Sequence, residues 1–354
     1  MRVNGAYSTR CPVLSGVPQG SVLGPALFLL FVADMPTLIQ NFISLYADDS
    51  KLFTYMQESQ ENMHTEQSLQ EDINSLCRWS DKMQMSFNID KCHALHMGNS
   101  NQHYSYTLPK ISEFNQSTNS IGYTYTFHPL KQVEEEKDLG VIVDAKLNFK
   151  SHISSKISKA NSIIYIIRNC FKYLDEEMFK LLFKSLIRPH LEYASPVWSP
   201  ITKGEIIRLE GVQRRATKLV PSLSNLPYSD RIAHLKIPTL EYRRIRQDLL
   251  FLYNFAHNNI ILNTSTRCNI CRSDTDMLIP VTSGTRGHPF RYKILRHTGI
   301  RNKFFTTRTI PIWNNLCANT VLAPTLNTFK SRLDKDPSMP GKYNLLYASN
   351  ISSA

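Results

Sequence analysis

Apolar and polar positions change their rhythm near residue 150. Before that point the pattern is short and mixed. Val22 to Met35 is apolar nearly all round, which predicts a helix buried on most sides. From Asn41 to Tyr55 two short strands are expected around a turn: Ile43, Leu45 and Ala47 alternate before Asp48-Asp49, and Lys51, Phe53 and Tyr55 alternate after it. Ser68-Leu69-Gln70-Glu71 has the form of a capping box and predicts a helix with Leu69, Ile73, Leu76 and Trp79 (or Cys77) on one face. Met85 to Ile89 reads as a strand leading to Lys91. Residues 99–128 read as a hairpin with a polar loop, and Leu139 to Val143, after an acidic run, as a further strand.

Beyond residue 150 the period becomes 3.6. Ile153, Ile157, Ala160, Ile164 and Ile167 form one helical stripe. Met178, Leu181, Leu182, Ser185 and Leu186 form another, which Pro189 is expected to end. Thr202-Lys203-Gly204-Glu205 is a second capping box, opening a helix that buries Ile206, Leu209, Val212, Ala216 and Leu219. Arg208, Arg214, Arg215 and Lys218 fall outside that stripe, on a basic side. A helix from Leu240 to about His257 carries Arg243, Arg244 and Arg246. The polar stretch from Asn258 to Gly287 reads as a linker, and the tail after Asp334 as loose.

Charge divides the chain at the same place. The whole carries +12. Residues 1–149 hold 10 basic against 16 acidic side chains, a net of −6, and residues 150–354 hold 31 against 13, a net of +18. Such a split suggests an acidic half joined to one that seeks polyanions, and nucleic acid is the expected partner. With 42% hydrophobic and 20% charged residues, the composition is that of a globular protein. The longest apolar run, Val22 to Ala33, is too short to cross a membrane and holds Gly24 and Pro25. Seven scattered cysteines fit reduced thiols, so an intracellular protein, nuclear or cytoplasmic and not secreted, is expected. Cys268-x-x-Cys271 is the one close pair. A zinc site there would need two more ligands, and His288 and His297 are spaced outside the usual pattern.

The chemistry concentrates at Tyr46-Ala47-Asp48-Asp49. Two acidic residues at a hairpin tip are often plain turn formers. Here Ser15-Gly16-Val17-Pro18-Gln19-Gly20-Ser21-Val22-Leu23-Gly24-Pro25 comes first. Glycines let a backbone approach a ligand closely, and a glutamine offers both donor and acceptor. Taken together, the two stretches resemble the reverse transcriptases of non-LTR retrotransposons of the jockey and CR1 kind. The likeness continues through Trp79 with Phe87-Asn88-Ile89-Asp90-Lys91, through Lys137-Asp138-Leu139-Gly140-Val141, and through Leu186 to Trp198, Leu209 to Lys218 and Thr306 to Asn314.

That resemblance implies an α+β fold. A partial polymerase palm, an antiparallel sheet packed with helices, would span 1–145. A helical thumb and connection would span 146–257, and a mostly α-helical basic region 258–354. It implies that Asp48 and Asp49 bind Mg²⁺ (or Mn²⁺), that Pro18, Gln19 and Gly20 lie against the incoming nucleotide, and that Lys91 protonates the leaving pyrophosphate or contacts the triphosphate. Leu139 and Gly140 would grip the primer. The partners implied are an RNA template, a DNA primer and deoxynucleoside triphosphates, with no membrane. Arg208, Arg214, Arg215 and Lys218 are the nucleic-acid contact candidates, while Trp198 and Trp313 are expected in the core rather than stacked on bases. One departure bears on activity. The family carries its other metal-binding aspartate upstream, in a strand of the form Phe/Tyr-x-x-Asp, and residues 1–15 hold no such strand. The chain is therefore expected to begin inside the palm and to be inactive by itself. The alternative expectation is a non-catalytic, nucleic-acid-binding remnant of such an element.

Overall fold

In the computed structural model, the described residues are 2–3, 6–7, 9, 16–17, 20–55, 62–98, 101–117, 120–200, 202–260, 278–281 and 287–343. They mix helices with small antiparallel sheets, an α+β protein. The chain divides into two compact units. The first holds Met1–Ala94 and Ser100–Gln132, with Arg267–Asn269; the second holds Leu95–Asn99, Val133–Thr266 and Ile270–Ala354.

The first unit opens with the paired two-residue strands β1 (Arg2–Val3) and β2 (Ala6–Tyr7). Helix α1 (Gly24–Val32) follows, with a proline in its first turn, where a missing N–H costs nothing. Strands β3 (Phe42–Tyr46) and β4 (Asp49–Phe53) form an antiparallel hairpin. Helix α2 (Asn62–Lys82) packs on it, and Leu76 and Trp79 join Val32, Met35 and Ile39 in one buried cluster against Ile43, Leu45 and Leu52. The buried Asp72 fastens the hairpin to α2 by accepting from Gln40 N, Asn41 N and Asn41 Nδ2, each at 2.8 Å. Short strands β5 (His93–Leu95) and β8 (Lys131–Val133) flank the long hairpin β6 (Thr107–Ser117) and β7 (Ser120–Pro129), which is the expected one.

Three expectations for this unit need correction. The predicted capping box at Ser68 lies inside α2, not at its start. Ser68 Oγ instead accepts from Asn41 Nδ2 at 2.9 Å, and the side chain of Gln70 both donates to and accepts from the backbone of Thr107 (2.8 and 2.9 Å). Met85 to Ile89 is not a strand: the chain runs irregularly into a 3-10 turn, Ile89–Lys91, although Phe87 and Ile89 pack into one apolar cluster, as alternate residues of a strand would. Helix α1 is not buried on most sides. Val32 is buried and Phe28 packs beside it, but Leu29 and Leu30 are 61% and 73% exposed. An apolar helix of two turns shows one i, i+4 stripe to one neighbour, and nothing among the described residues covers the rest.

The second unit begins with hairpin β9 (Glu135–Asp138) and β10 (Val141–Asp144). The expected strand from Leu139 is therefore a turn and a strand. Helix α3 (Lys150–Cys170) buries Ile153, Ala160 and Ile167 as its stripe predicts. Next come α4 (Glu176–Leu182), a π-helical turn (Phe183–Ile187), α5 (Arg188–Glu192) and α6 (Ser195–Trp198). Here the expected stripe is on the wrong side. Phe179, Phe183, Ile187 and Leu191 are buried, while Leu181 is 67% exposed. A four-residue spacing suits the wider π turn. Pro189 does not end the helix either, because it occupies the first turn of α5, where no N–H is needed.

The remaining helices are α7 (Lys203–Thr217), α8 (Tyr228–Leu235), α9 (Leu240–Ala256), α10 (Phe305–Asn314), α11 (Ala318–Val321) and α12 (Leu326–Leu333). The capping box at Thr202 and Glu205 forms reciprocally as predicted. Two apolar cores result. One joins α3, α4, α5, α6 and α7 around the buried Trp198; the other joins α9, α10 and α12 around the buried Trp313. The tail is tied in as far as Lys342: Lys342 O accepts from Thr239 N at 3.0 Å, and the buried Asp336 accepts from Cys317 N and Thr320 Oγ1. Most of the expected linker, with Cys268 and Cys271, lies outside the described residues. Among those residues no helix is long and apolar enough to cross a membrane.

Candidate active site

Residues Tyr46 and Asp49 pair across the β3–β4 hairpin, leaving Ala47-Asp48 as a two-residue turn. Ala47 adopts the left-handed region at φ +52°, as tight hairpin turns demand. Asp48 sits in the turn, Asp49 opens β4, and both are exposed. The inner face of the hairpin, Ile43, Leu45 and Leu52, is packed on α2, so the two carboxylates stand at the tip of an anchored ribbon. Carboxylate oxygens are the hard donors that Mg²⁺ prefers, and Mg²⁺ takes few ligands from protein. In kind, the donors fit such an ion. In number, they are two: among the described residues no group of three or more His, Cys, Asp or Glu side chains is placed to hold a metal.

Lys91 lies in the same unit, exposed at the end of the 3-10 turn Ile89–Lys91. Trp79 is structural, buried with its Nε1 donating to Asp34 Oδ1 at 3.0 Å. Of the predicted nucleotide loop, Pro18 and Gln19 lie outside the described residues. Gly20 has φ +87°, and none of the described residues lies within 4 Å of where a Cβ would sit.

Leu139 and Gly140 belong to the second unit and form the two-residue turn of the β9–β10 hairpin, with Asp138 paired to Val141. Both have positive φ, +43° and +84°. A leucine in that region costs about 1–2 kcal/mol, so something must hold it. Tyr193 Oη donates to Leu139 O at 2.9 Å, and Lys156 Nζ donates to Gly140 O at 3.1 Å. Behind the turn His152 is fully buried in α3. Its Nδ1 accepts from Ile142 N at 3.1 Å, and its ring lies 5.1 Å from that of Trp198. Burial, with Lys156 adding repulsion, pushes its pKa down to about 4, so the ring is neutral near pH 7. Residue-by-residue reading of the sequence singled out neither His152, Lys156 nor Tyr193. Tyr193 lies inside the quoted stretch Leu186 to Trp198, which was its only signal.

The four basic candidates on α7 are placed differently from one another. Arg208 is exposed and donates to Ser154 Oγ at 3.1 Å, and Arg215, also exposed, donates to Asn161 Oδ1 at 3.0 Å. These two link α7 to α3 seven residues apart. Arg214 is half-buried, its guanidinium 5.3 Å from the Tyr228 ring centre. Lys218 is exposed where the helix ends. On α9 the arginines point to internal partners. Arg243 bonds Glu192, Arg246 bonds Asp334 at 2.6 Å, and Arg244 is buried near Glu210, Glu241 and Asp248.

Comparison with known proteins bears on the first part of the chain. Residues 1–143 match the family described as Reverse transcriptase (RNA-dependent DNA polymerase). This segment, with its acidic hairpin, is similar to that family, and the relatives that match are polymerases of mobile elements. The particular likeness is to the RNA-directed DNA polymerase from mobile element jockey. The chain is 29% identical to the protein of Drosophila funebris over 258 residues, which cover 67% of this chain and 25% of the relative. It is 25% identical to the Drosophila melanogaster protein over 283 residues, 75% of this chain and 28% of the relative. The probable RNA-directed DNA polymerase from transposon X-element of Drosophila melanogaster is 23% identical over 230 residues, 62% of this chain and 23% of the relative. The chain thus spans about a quarter of the length of the curated relatives it matches. No solved structure matches it.

Proposed function

We propose that this chain carries part of the catalytic centre and the primer-holding part of an RNA-directed DNA polymerase of a non-LTR retrotransposon. The first unit and the β9–β10 hairpin would belong to the palm, and helices α3 to α9 to the thumb and connection. The observation that carries the reading is the tip of the β3–β4 hairpin: two exposed, adjacent carboxylates on an anchored ribbon, inside the matched segment.

Asp48 and Asp49 would hold Mg²⁺ or Mn²⁺. When bound, such ions activate the primer 3′ hydroxyl and neutralise charge on the triphosphate. The other steps fall to the chain's own side chains. Gly16 to Gly20 would let the backbone approach the incoming nucleotide, with Gln19 offering its amide. Lys91, at the end of a short turn, would donate a proton to the departing pyrophosphate, a contribution of about 10²–10⁴-fold for a positioned acid. The Leu139–Gly140 turn would hold the primer end. The partners would be an RNA template, a DNA primer and deoxynucleoside triphosphates, met inside the cell.

Two carboxylates make half of a two-metal site, so the chain by itself is expected to extend no primer on a primed RNA template with Mg²⁺ and nucleotides. Extension that disappears in Asp48→Asn would show a complete site and refute that expectation. Extension that persists in Asp48→Asn would overturn the assignment of the hairpin.

A second reading, a nucleic-acid binder without catalysis, is favoured by the +18 of residues 150–354. It predicts binding that weakens steeply with salt. A flat salt response in a filter-binding titration would count against it.

A further inference from the structure

We propose that Tyr193 and Lys156 are positioning residues that clamp the Leu139–Gly140 turn in the shape in which it meets the primer end; this rests on the primer-grip reading above. The two residues come from different helices and reach the two adjacent carbonyls of one turn. Tyr193, at the end of α5, donates to Leu139 O (2.9 Å), and Lys156, from α3, donates to Gly140 O (3.1 Å). The Tyr193 ring also uses the space that glycine leaves: its Cε1 is 3.3 Å from where a Gly140 Cβ would stand.

The clamp is itself held from behind. Trp198 Nε1 donates to Tyr193 O at 2.6 Å, and the Trp198 ring packs on His152, which accepts from Ile142 N two residues beyond the turn. The contacts close a circuit from the turn through α3, Trp198 and Tyr193 back to the turn. Two stretches that the sequence presents 50 residues apart, Lys137 to Val141 and Leu186 to Trp198, are therefore parts of one device.

Its exposure separates a presenting role from plain packing. Trp198 and His152 are fully buried, but Tyr193 is 54% and Leu139 39% exposed. The side chains at the turn face solvent while those behind it are locked. A left-handed leucine, two capped carbonyls and a half-exposed aromatic ring make a rigid edge for a sugar or base at a strand end.

The test is binding of the full chain to two RNA–DNA hybrids of equal length, one with a recessed DNA 3′ end and one blunt. The wild-type chain is expected to prefer the recessed end. Tyr193→Phe keeps the ring and removes the donor; Lys156→Met removes the other. Each is expected to lower the ratio of the two affinities about fivefold, with the thermal midpoint lowered by no more than one lost hydrogen bond allows. Lys156→Arg, which restores a donor, is expected to recover the ratio. A wild-type chain without end preference would sink the primer-grip reading and the proposal with it. A wild-type preference that both variants keep in full would overturn the clamp alone. Equal losses on both hybrids, with a midpoint lowered by more than one lost hydrogen bond allows, would reduce Tyr193 and Lys156 to packing, which also overturns it.

Discussion

Two hairpin turns in this protein share a backbone problem and solve it in opposite ways. Ala47-Asp48 and Leu139-Gly140 are both two-residue turns, and each begins with a side-chain-bearing residue in the left-handed region. At Ala47 the side chain is a methyl group, the ribbon below is packed, and the tip stands in solvent with its carboxylates exposed. At Leu139 the turn is fastened by a tyrosine and a lysine from two helices. On the proposed reading the contrast follows from use. A tip that would take up ions gains from oxygens left to solvent, whereas a turn that would meet a strand end gains from being fixed.

The largest effect that would break this comparison lies behind the clamped turn. Trp198→Ala should destabilise the second unit by about 3–5 kcal/mol, the usual cost of deleting a buried aromatic. Urea unfolding followed by far-UV circular dichroism would measure it. A loss below 1 kcal/mol would mean that Trp198 does not brace the turn.

Next comes a pH effect. His152 is held near 4 in the folded chain, against about 6.5 unfolded. Between those values the unfolded chain binds the extra proton, so stability is full above about pH 6.5 and falls as the pH drops. From pH 6.5 to 4.5 the loss should be about 2 kcal/mol, and His152→Gln should remove that share of the slope. An identical slope in wild type and variant would contradict a buried, neutral His152.

Glycine substitutions should act alike at the two turns. Ala47→Gly and Leu139→Gly each relieve a left-handed side chain, and each should raise stability by up to about 1 kcal/mol. Gly140→Ala should do the reverse, since the new methyl group meets both a positive φ and the Tyr193 ring. A neutral Gly140→Ala would dissolve the difference between the turns. The smallest effect is at Thr202→Ala, which should cost about 1 kcal/mol through loss of the reciprocal cap on α7.

How much of this was legible in the sequence depends on the range of the forces involved. Alternation of Ile43 and Leu45 marked the acidic hairpin, and Thr202 with Glu205 marked the start of α7, because each signal is local. The stripe of Ile153, Ala160 and Ile167 also emerged intact. The left-handed Leu139 was hidden, because the tyrosine that holds it is 54 residues away. The buried face of α4 and α5 was misread because a π turn shifts Phe179, Phe183, Ile187 and Leu191 off the 3.6 period. Charge alone also overstated the basic surface of α9: Arg243 and Arg246 bond Glu192 and Asp334 inside the protein. At the hairpin tip the pattern placed Asp48 and Asp49 at the turn, as the structure has them, while a metal role for them came from the resemblance alone.

The central claim is that Asp48 and Asp49 form the metal-holding tip of a polymerase. It is tested most directly by primer extension on a primed RNA template, using a jockey polymerase whose matching stretch is replaced by this chain. Extension in Mg²⁺ is predicted, and Asp48→Asn should lower it about a thousandfold or more, as befits the loss of several kcal/mol of charge stabilisation. Extension that Asp48→Asn leaves undiminished would contradict the account.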